Sequence, residues 1–283
     1  MASPIVGAMT QKTILITGCS SGIGYDAAHT LHKRGWRVFA TCRQKADCAR
    51  LRDEGLESFP LDYSDEHSIA EAVKETLTRT GGTLDALFNN GAYAIPGATE
   101  DLPRDALRAI FEVNLFGQFD LINRLLPAMR PAGRVVNCSS VLGIAALRMR
   151  GAYCATKFAM EALTDALRYE NYGTEMKFIS IQPGPIPTKI RSNSIPHFEK
   201  WINWEASAQK QIYEEKLLPR LYNDNNGPDR FELPCSAVTD ALIKAIEAKN
   251  PKPRYMVTKA TVFTEIMRRF LPKRLLDRMY AGM

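Results

Sequence analysis

The chain has no apolar run of about 18 residues, the length that crosses a bilayer's hydrocarbon core as a helix. It also has no basic amino-terminal segment leading into an apolar stretch and a cleavage site. A cytoplasmic protein is expected. The six cysteines (Cys19, Cys42, Cys48, Cys138, Cys154 and Cys235) include no Cys-x-x-Cys pair and lie mostly in apolar or small-residue runs. That pattern reads as buried free thiols, not as a disulfide framework or a zinc site. Histidine is scarce, at four. His29 and His32 share a helical spacing but lack the glutamate of a zinc-protease motif, so they read as a solvated helix face and no metal is expected. No aromatic-basic motif for nucleic acid is present either, so nucleic-acid binding is not expected. The formal charge of +6, from 37 basic and 31 acidic residues, is assigned instead to contact with an anionic cofactor and to a basic tail. What is left is an ordinary globular composition of 283 residues, 45% of them apolar, enough for a substantial core.

The most informative stretch runs from Ser139-Ser140 to Lys157. Tyr153 opens a segment whose apolar residues (Phe158, Met160, Leu163, Ala166, Leu167) recur with helical period, which predicts a helix over residues 151–169. Tyr153 and Lys157 then emerge from one face, a turn apart. A fixed ammonium beside a phenol favours the phenolate, so Tyr153 is expected to be brought from its ordinary pKa of ~10 toward the neutral range as a general acid/base. Spacing alone does not establish this, because Tyr255 and Lys259 repeat it. That second pair follows Pro251 and Pro253 in a strand-like run, where residues four apart do not meet.

Three further signals accompany the pair. Thr17-Gly-Cys-Ser-Ser-Gly-Ile-Gly24 lies between a strand-like and a helical run, Asn89-Asn-Gly-Ala92 follows another strand, and Ser140 stands thirteen positions before Tyr153. With Asn114, these residues resemble the short-chain dehydrogenase/reductase family, in the family's order from about Thr13 to Thr188. Strands alternating with helices independently predict an α/β fold: a doubly wound parallel sheet of the Rossmann type in one domain. The domain is expected over residues 9–262, with a lid insertion at about 189–233 and a tail at 263–283. Met9 directly precedes the first strand, so residues 1–8 read as an upstream-start extension or a cloning remnant.

Each crossing of the sheet supplies candidates. Residues 13–17 form a buried strand that enters the glycine loop, where Gly18, Ser20, Ser21, Gly22, Ile23 and Gly24 let the backbone turn and seat a pyrophosphate on the N–H groups of the following helix. The second strand ends in Cys42-Arg43 with no acidic residue to hold ribose hydroxyls, and Arg43 can pair with a 2′-phosphate, which predicts NADP over NAD. Asp62 follows the third strand; the resemblance implies a bond to the adenine amino group, while on spacing alone a turn or N-cap carboxylate is an equal reading. Asn89 is expected to cap and brace the sheet near the adenosine, beside Gly91. The family's usual order is Asn-Asn-Ala-Gly, so Gly91 and Ala92 are exchanged here. Asn114 interrupts a long helical stretch (103–129) that it suits poorly, and the resemblance implies that it kinks the helix and holds a water serving Lys157. Pro183, Gly184 and Thr188 belong to a rigid turn after the sixth strand, with Thr188 implied at the nicotinamide amide.

From residue 189 to 233 the pattern changes, with His197, Phe198, Trp201, Trp204, Tyr213, Tyr222 and Phe231 spread among polar residues. Excursions of this length are commonly lids or binding loops, and a mobile substrate cover is expected, with an aromatic packing or oligomer surface as the competing reading. The tail alternates apolar residues with Arg268, Arg269, Lys273, Arg274 and Arg278 around Pro272. Such a basic amphipathic helix can lie on an anionic membrane, but packing on its own domain or a partner subunit is the commoner outcome and the expected one.

The resemblance implies a catalytic set of Asn114, Ser140, Tyr153 and Lys157, with Tyr153 and Lys157 also touching the cofactor. It implies hydride transfer between NADP(H) and an alcohol or carbonyl. The start motif, the Ala-Thr-Cys-Arg strand end and Asn137-Cys-Ser-Ser-Val-Leu-Gly143 are similar to the branch containing 17-beta-hydroxysteroid and retinol dehydrogenases, and with Leu142 and Met149 they favour an apolar substrate of steroid, retinoid or aldehyde type. A homodimer or homotetramer through the Asn114 and Tyr153 helices is implied. The alternative is a non-catalytic dinucleotide-binding redox sensor or scaffold.

Overall fold

The computed structural model describes residues 11–223 and 227–282, so residues 1–8, set aside on sequence grounds, lie outside the described residues. Seven strands, β1 (Thr13–Thr17), β2 (Arg37–Cys42), β3 (Glu57–Pro60), β4 (Ala86–Asn89), β5 (Arg134–Cys138), β6 (Lys177–Gln182) and β7 (Arg254–Met256), form one sheet. Every pairing is parallel, in the order β3-β2-β1-β4-β5-β6-β7. The chain reverses its direction of travel across the sheet between β1 and β4, and in open sheets a crevice for ligands opens at such a point, outside the carboxyl ends of the strands.

Strand periodicity explains how the sheet is covered. In β1 and β2, Ile14, Ile16, Val38 and Ala40 face one apolar cluster while Leu15 and Phe39 face the other. The first cluster is closed by α1 (Gly22–Lys33), α2 (Lys45–Asp53) and α10 (Cys235–Glu247), and the second by α3 (Glu66–Thr80) and α5 (Gly117–Met129). Both faces are dry, so the strands read as near-continuous apolar runs. Each fully buried Leu, Ile or Phe there contributes roughly 1.5–3 kcal/mol. Local signals set the helix ends: Asp65 accepts from the His67 N–H at the start of α3, and Gly81, at φ 71°, closes it.

The stretch expected as one helix over 103–129 is three pieces: α4 (Arg104–Phe111), a π turn at Glu112–Phe116, and α5. α6 (Gly151–Glu170) is continuous. Tyr255 lies on β7 and Lys259 opens α11 (Lys259–Phe270), so the duplicate Tyr-Lys spacing is split between two elements. α12 (Lys273–Gly282) follows.

Between β6 and α10 the chain forms α7 (Ile190–Trp201), a short turn at Trp204–Ala206, α8 (Lys210–Ile212), a second π turn at Tyr213–Leu217, and α9 (Leu218–Tyr222). These build a third apolar cluster, in which Phe198, Ile202, Tyr213, Leu217 and Leu221 pack on Ile95, Ala98, Ala106 and Ile110. The aromatic residues of this segment therefore divide: Phe198 and Tyr213 are core, whereas Tyr222 and Phe231 are exposed.

Candidate active site

Tyr153, Lys157 and Ser140 converge at the carboxyl end of β5. Ser140 follows that strand in extended backbone; its Oγ accepts from the Leu142 N–H at 3.0 Å, and its hydroxyl stands close enough to the Tyr153 phenol to favour the phenolate. Lys157, one turn along α6, is buried; its Nζ lies 5.6 Å from the Tyr153 ring centroid and donates to the Cys138 carbonyl at 2.7 Å. Cys138 is the last residue of β5, so the ammonium ties the helix to the strand that delivers Ser140.

The electrostatics differ from the expectation for an isolated phenol-ammonium pair. Burial pushes the Tyr153 phenol above its ordinary value, Cys138 adds to the rise, and the Ser140 hydroxyl opposes it. Burial likewise lowers the Lys157 ammonium, against the pull of Cys138 and Glu161. In the protein alone, desolvation decides the direction and Tyr153 holds its proton. The reading that Lys157 brings the phenol toward neutral range is therefore corrected for this state.

Asn114 sits in the π turn and is fully buried. Its amide grips the Tyr93 backbone at both ends, with Nδ2 donating to the Tyr93 carbonyl at 2.8 Å and Oδ1 accepting from the Tyr93 N–H at 3.1 Å. Nδ2 also reaches Thr156 Oγ1 at 3.3 Å, and Thr156 in turn donates to the Tyr153 carbonyl at 2.8 Å. A widened turn shifts the backbone carbonyl pattern of a helix, and such turns recur at functional sites. Asn114 thus joins the loop after β4 to the first turn of α6.

The nucleotide side of the crevice is built on glycine. Gly18 has φ 68°, and a Cβ there would stand 2.7 Å from the Gly91 Cα, so the loops after β1 and β4 meet back to back. A Cβ on Gly24 would strike the Gly18 carbonyl and the Asn90 amide. Ser21 precedes α1 without a side-chain cap, and the first turn of α1 holds no acid. Free N–H groups and an unopposed helix dipole there suit a pyrophosphate. Ser20 is tied down through its carbonyl by Arg50 at 2.7 Å, and Ile23 packs on the core. Thr188 crosses from the far wall, its methyl 3.1 Å from where a Cβ on Gly22 would stand. Pro183 accepts from the Val141 N–H at 2.7 Å, and Gly184 backs on to the Thr258 hydroxyl.

Three residues read as cofactor contacts stand differently. Asn89 is fully buried with its amide spent on Tyr63 (2.8 Å) and Asn137 (3.1 Å), so its side chain braces the sheet and has no face for a nucleotide. Asp62 Oδ1 accepts from the N–H and hydroxyl of Ser64, which is the turn-carboxylate alternative. Arg43 is exposed beyond β2, and its charge reaches Tyr93 and His197: burial raises the Tyr93 phenol against the pull of Arg43, whereas burial and Arg43 together lower the His197 imidazole. Those two rings stack at 4.1 Å, joining α7 to the loop after β4 over the crevice.

Several contributors carried no readable sequence signal. Tyr63 OH lies between Thr17 Oγ1 and Asn89 Oδ1, at 2.8 Å from each, and Asn137 donates to Thr164 at 2.9 Å. Gln118 donates to the Gly91 carbonyl at 2.8 Å and so fixes the exchanged Gly-Ala loop. Tyr213 OH accepts from the Ala98 N–H and donates to Asp101 Oδ2, each at 2.7 Å, anchoring the lid segment. Only Glu161, four residues beyond Lys157, had a signal in its helical spacing. It is buried, and its Oε2 accepts from Arg254 at 3.2 Å.

Residues 12–198 match the short chain dehydrogenase family. The chain is 35% identical over 280 residues to an uncharacterized oxidoreductase, YbbO, of Escherichia coli K12, covering 98% of this chain and 97% of that protein. It is 32% identical over 286 residues to mouse retinol dehydrogenase 16, covering 97% and 89%. Among solved structures, a Burkholderia phymatum short-chain dehydrogenase/reductase in complex with NAD superimposes with TM-score 0.76 at 23% identity, over 92% of this chain and 93% of that one. An actinorhodin polyketide ketoreductase with NADPH superimposes with TM-score 0.70 at 26% identity, over 88% and 96%.

Proposed function

Given that the chain belongs to the short-chain dehydrogenase family, we propose that it is an NADP(H)-dependent oxidoreductase acting on an apolar alcohol, ketone or aldehyde. The observation that carries this reading is the gathering of the Tyr153 phenol, the Ser140 hydroxyl and the Lys157 ammonium, the last 5.6 Å from the Tyr153 ring and bonded to the Cys138 carbonyl, at the carboxyl rim of a parallel sheet. When bound, the nicotinamide supplies or accepts the hydride. The protein's own part is to position and to move one proton. Ser140 orients the substrate oxygen. Tyr153, held protonated by its surroundings, donates to that oxygen during reduction and takes the proton back during oxidation. Lys157 would hold the nicotinamide ribose and support the proton path, and Asn114 fixes the loop after β4 against α6.

Arg43 supports NADP over NAD, since a guanidinium at the end of β2 pairs with a 2′-phosphate and no carboxylate stands there for the ribose hydroxyls. The two solved relatives named above hold NAD and NADPH respectively. Leu142, Met149 and the apolar cluster of the lid segment support an apolar substrate, in keeping with the retinol dehydrogenase likeness. Six free thiols, five of them buried, fit a cytoplasmic compartment. Exposed Phe116, Phe158 and Leu163 on the outer face of the π turn and α6 support assembly into a dimer or tetramer there.

The test is NADPH and NADH oxidation against a panel of apolar ketones and aldehydes beside small, highly charged ones. Turnover confined to the charged substrates would remove the apolar reading. Nucleotide binding without turnover of any substrate would return the sensor alternative.

A further inference from the structure

The tail was expected to pack on its own domain or on a partner subunit, and within the described residues much of its apolar surface is open. On α11, Val262, Phe263, Ile266 and Phe270 form one stripe, exposed by 40, 55, 50 and 75%. Met256 at the end of β7 and Leu275 on α12 are also exposed, by 40 and 43%. A groove of about 340 Å³ runs along the start of α11 between Val257 and Ile266. Isolated exposed apolar residues are ordinary, but a continuous row marks an interaction surface.

The same segment concentrates the chain's charge. Residues 252–283 hold eight lysines and arginines against two acids, Glu265 and Asp277, a surplus of six that equals the +6 of the whole sequence. Everything before them is balanced. Glu265 is taken by Arg268 and Asp277 by Lys273, both at 3.1 Å. Among the described residues no acid stands within ion-pair distance of Lys259, Arg269, Arg274 or Arg278. By helical spacing Lys259 and Arg269 share the α11 stripe with the apolar residues, whereas Arg268 points away from it.

We propose that α11 and α12 form a peripheral docking face for an anionic lipid membrane. Apolar side chains ringed by cations match the headgroup boundary of such a surface, where the former enter the acyl edge and the latter meet lipid phosphates. A second copy of the chain is disfavoured as the occupant, because two faces each carrying Lys259, Arg269, Arg274 and Arg278, with no acid beside them among the described residues, repel. Contact is peripheral, since no helix among the described residues is long and apolar enough to cross a bilayer. The face also adjoins the candidate site. Thr258 caps α11 and backs on to Gly184, and α11 touches the turn Val141–Gly143 after Ser140. Docking therefore brings the carboxyl rim of the sheet close to the bilayer, within reach of apolar molecules dissolved there. The inference is independent of the substrate reading, because it is measured without turnover.

The experiment is co-sedimentation of the full chain with vesicles of phosphatidylcholine alone and of phosphatidylcholine mixed with phosphatidylserine. Binding to the mixed vesicles only is expected, weakening as salt rises. The exposed pair Phe263→Glu and Phe270→Glu abolishes it. Arg269→Gln with Arg274→Gln weakens it by about 25-fold, at about fivefold per cation. All four positions are exposed, so melting temperatures should match the parent, and this separates lost docking from lost folding. Failure to bind the mixed vesicles, or equal binding to both kinds, overturns the proposal. So does binding that follows the arginines but ignores Phe263 and Phe270, which would indicate a polyanion partner. Light scattering in which Phe263→Glu turns an oligomer into monomers without lipid would make the face a self-contact and overturn it as well.

Discussion

The floor of the crevice and the roof over it are held by different forces. Below, polar side chains at the strand ends are buried and spent on one another: Thr17, Tyr63, Asn89, Asn137 and Thr164 make one run of hydrogen bonds across β1, β4, β5 and α6. Above, α7 to α9 are seated by apolar contact, with Tyr213 their main polar anchor. Hydrogen bonds between buried groups fix direction as well as distance and are costly to leave half-made. Apolar contact is non-directional and tolerates repacking. A floor of the first kind suits a cofactor that never changes, and a roof of the second suits substrates that can.

The sharpest way to break this contrast is Tyr153→Phe, which removes one oxygen from the floor. Turnover should fall by about 10²–10⁴-fold, with melting temperature and NADPH affinity retained; stopped-flow turnover beside fluorescence titration decides it, and near-normal activity would falsify the assignment. Next is Arg43→Asp, which removes one charge-assisted bond worth roughly 1.5–3 kcal/mol. The ratio of kcat/KM for NADPH over NADH should drop by about ten- to a hundredfold, and an unchanged ratio removes the NADP reading. Asn137→Ala tests the floor's rigidity: it leaves Asn89 and Thr164 short of a buried partner, at a cost of about 1–3 kcal/mol in urea unfolding. Tyr213→Phe does the same to the roof. It should cost nearer 1 kcal/mol and raise the substrate KM while leaving cofactor affinity alone. If the two substitutions cost the same and both weaken NADPH, the distinction between floor and roof fails.

The smallest effect is with pH. Burial raises the phenols of Tyr63, Tyr153 and Tyr213 and the thiols of Cys19 and Cys138, the last to about 11. Each folded value exceeds the unfolded one, so the stabilisation is complete below the ordinary thiol and phenol range, about 8.5–10, and is lost as pH climbs above it through the raised folded values. Melting temperature should be flat from pH 6 to 8 on this account, in the range where Tyr153 stays protonated, and should decline in more alkaline buffer. The oxidation rate, which needs the phenolate, should rise over that alkaline range while the reduction rate does not.

Much of this was readable in the sequence. The alternation of buried runs with helical periods gave β1 to β6 and their helices to within a few residues, because strands dry on both faces leave an unbroken apolar signature. Ser140, Tyr153 and Lys157 were legible because a strand end and one helix turn place them, and both are local geometry. The π turn was not, since a helix with one widened turn keeps the same apolar period on either side. Tyr63, Gln118 and Asn137 were missed because a buried polar side chain looks like any other polar residue until its partner, tens of positions away, is known. Tyr213 meets Ala98 across 115 positions, a contact no window along the chain contains. The direction of the Tyr153 shift was misjudged because spacing reports a neighbouring cation but not how much water has been removed. The tail's two-sided character was plain, whereas its lack of cover by the rest of the protein was not.

The ring pair of Tyr93 and His197 has a consequence for the timing of events. Burial and the Arg43 and Lys200 charges hold the His197 imidazole below its usual pKa, so it is uncharged at neutrality and can rest against the Tyr93 ring, tilted by 31°, near a guanidinium. This contact joins α7 to the loop that Asn114 grips, above whatever lies deepest in the crevice. Arrival should then be compulsory in sequence, dinucleotide first and departing last. Product-inhibition patterns should show NADP competitive against NADPH alone, and a His197→Ala enzyme should drift toward random order.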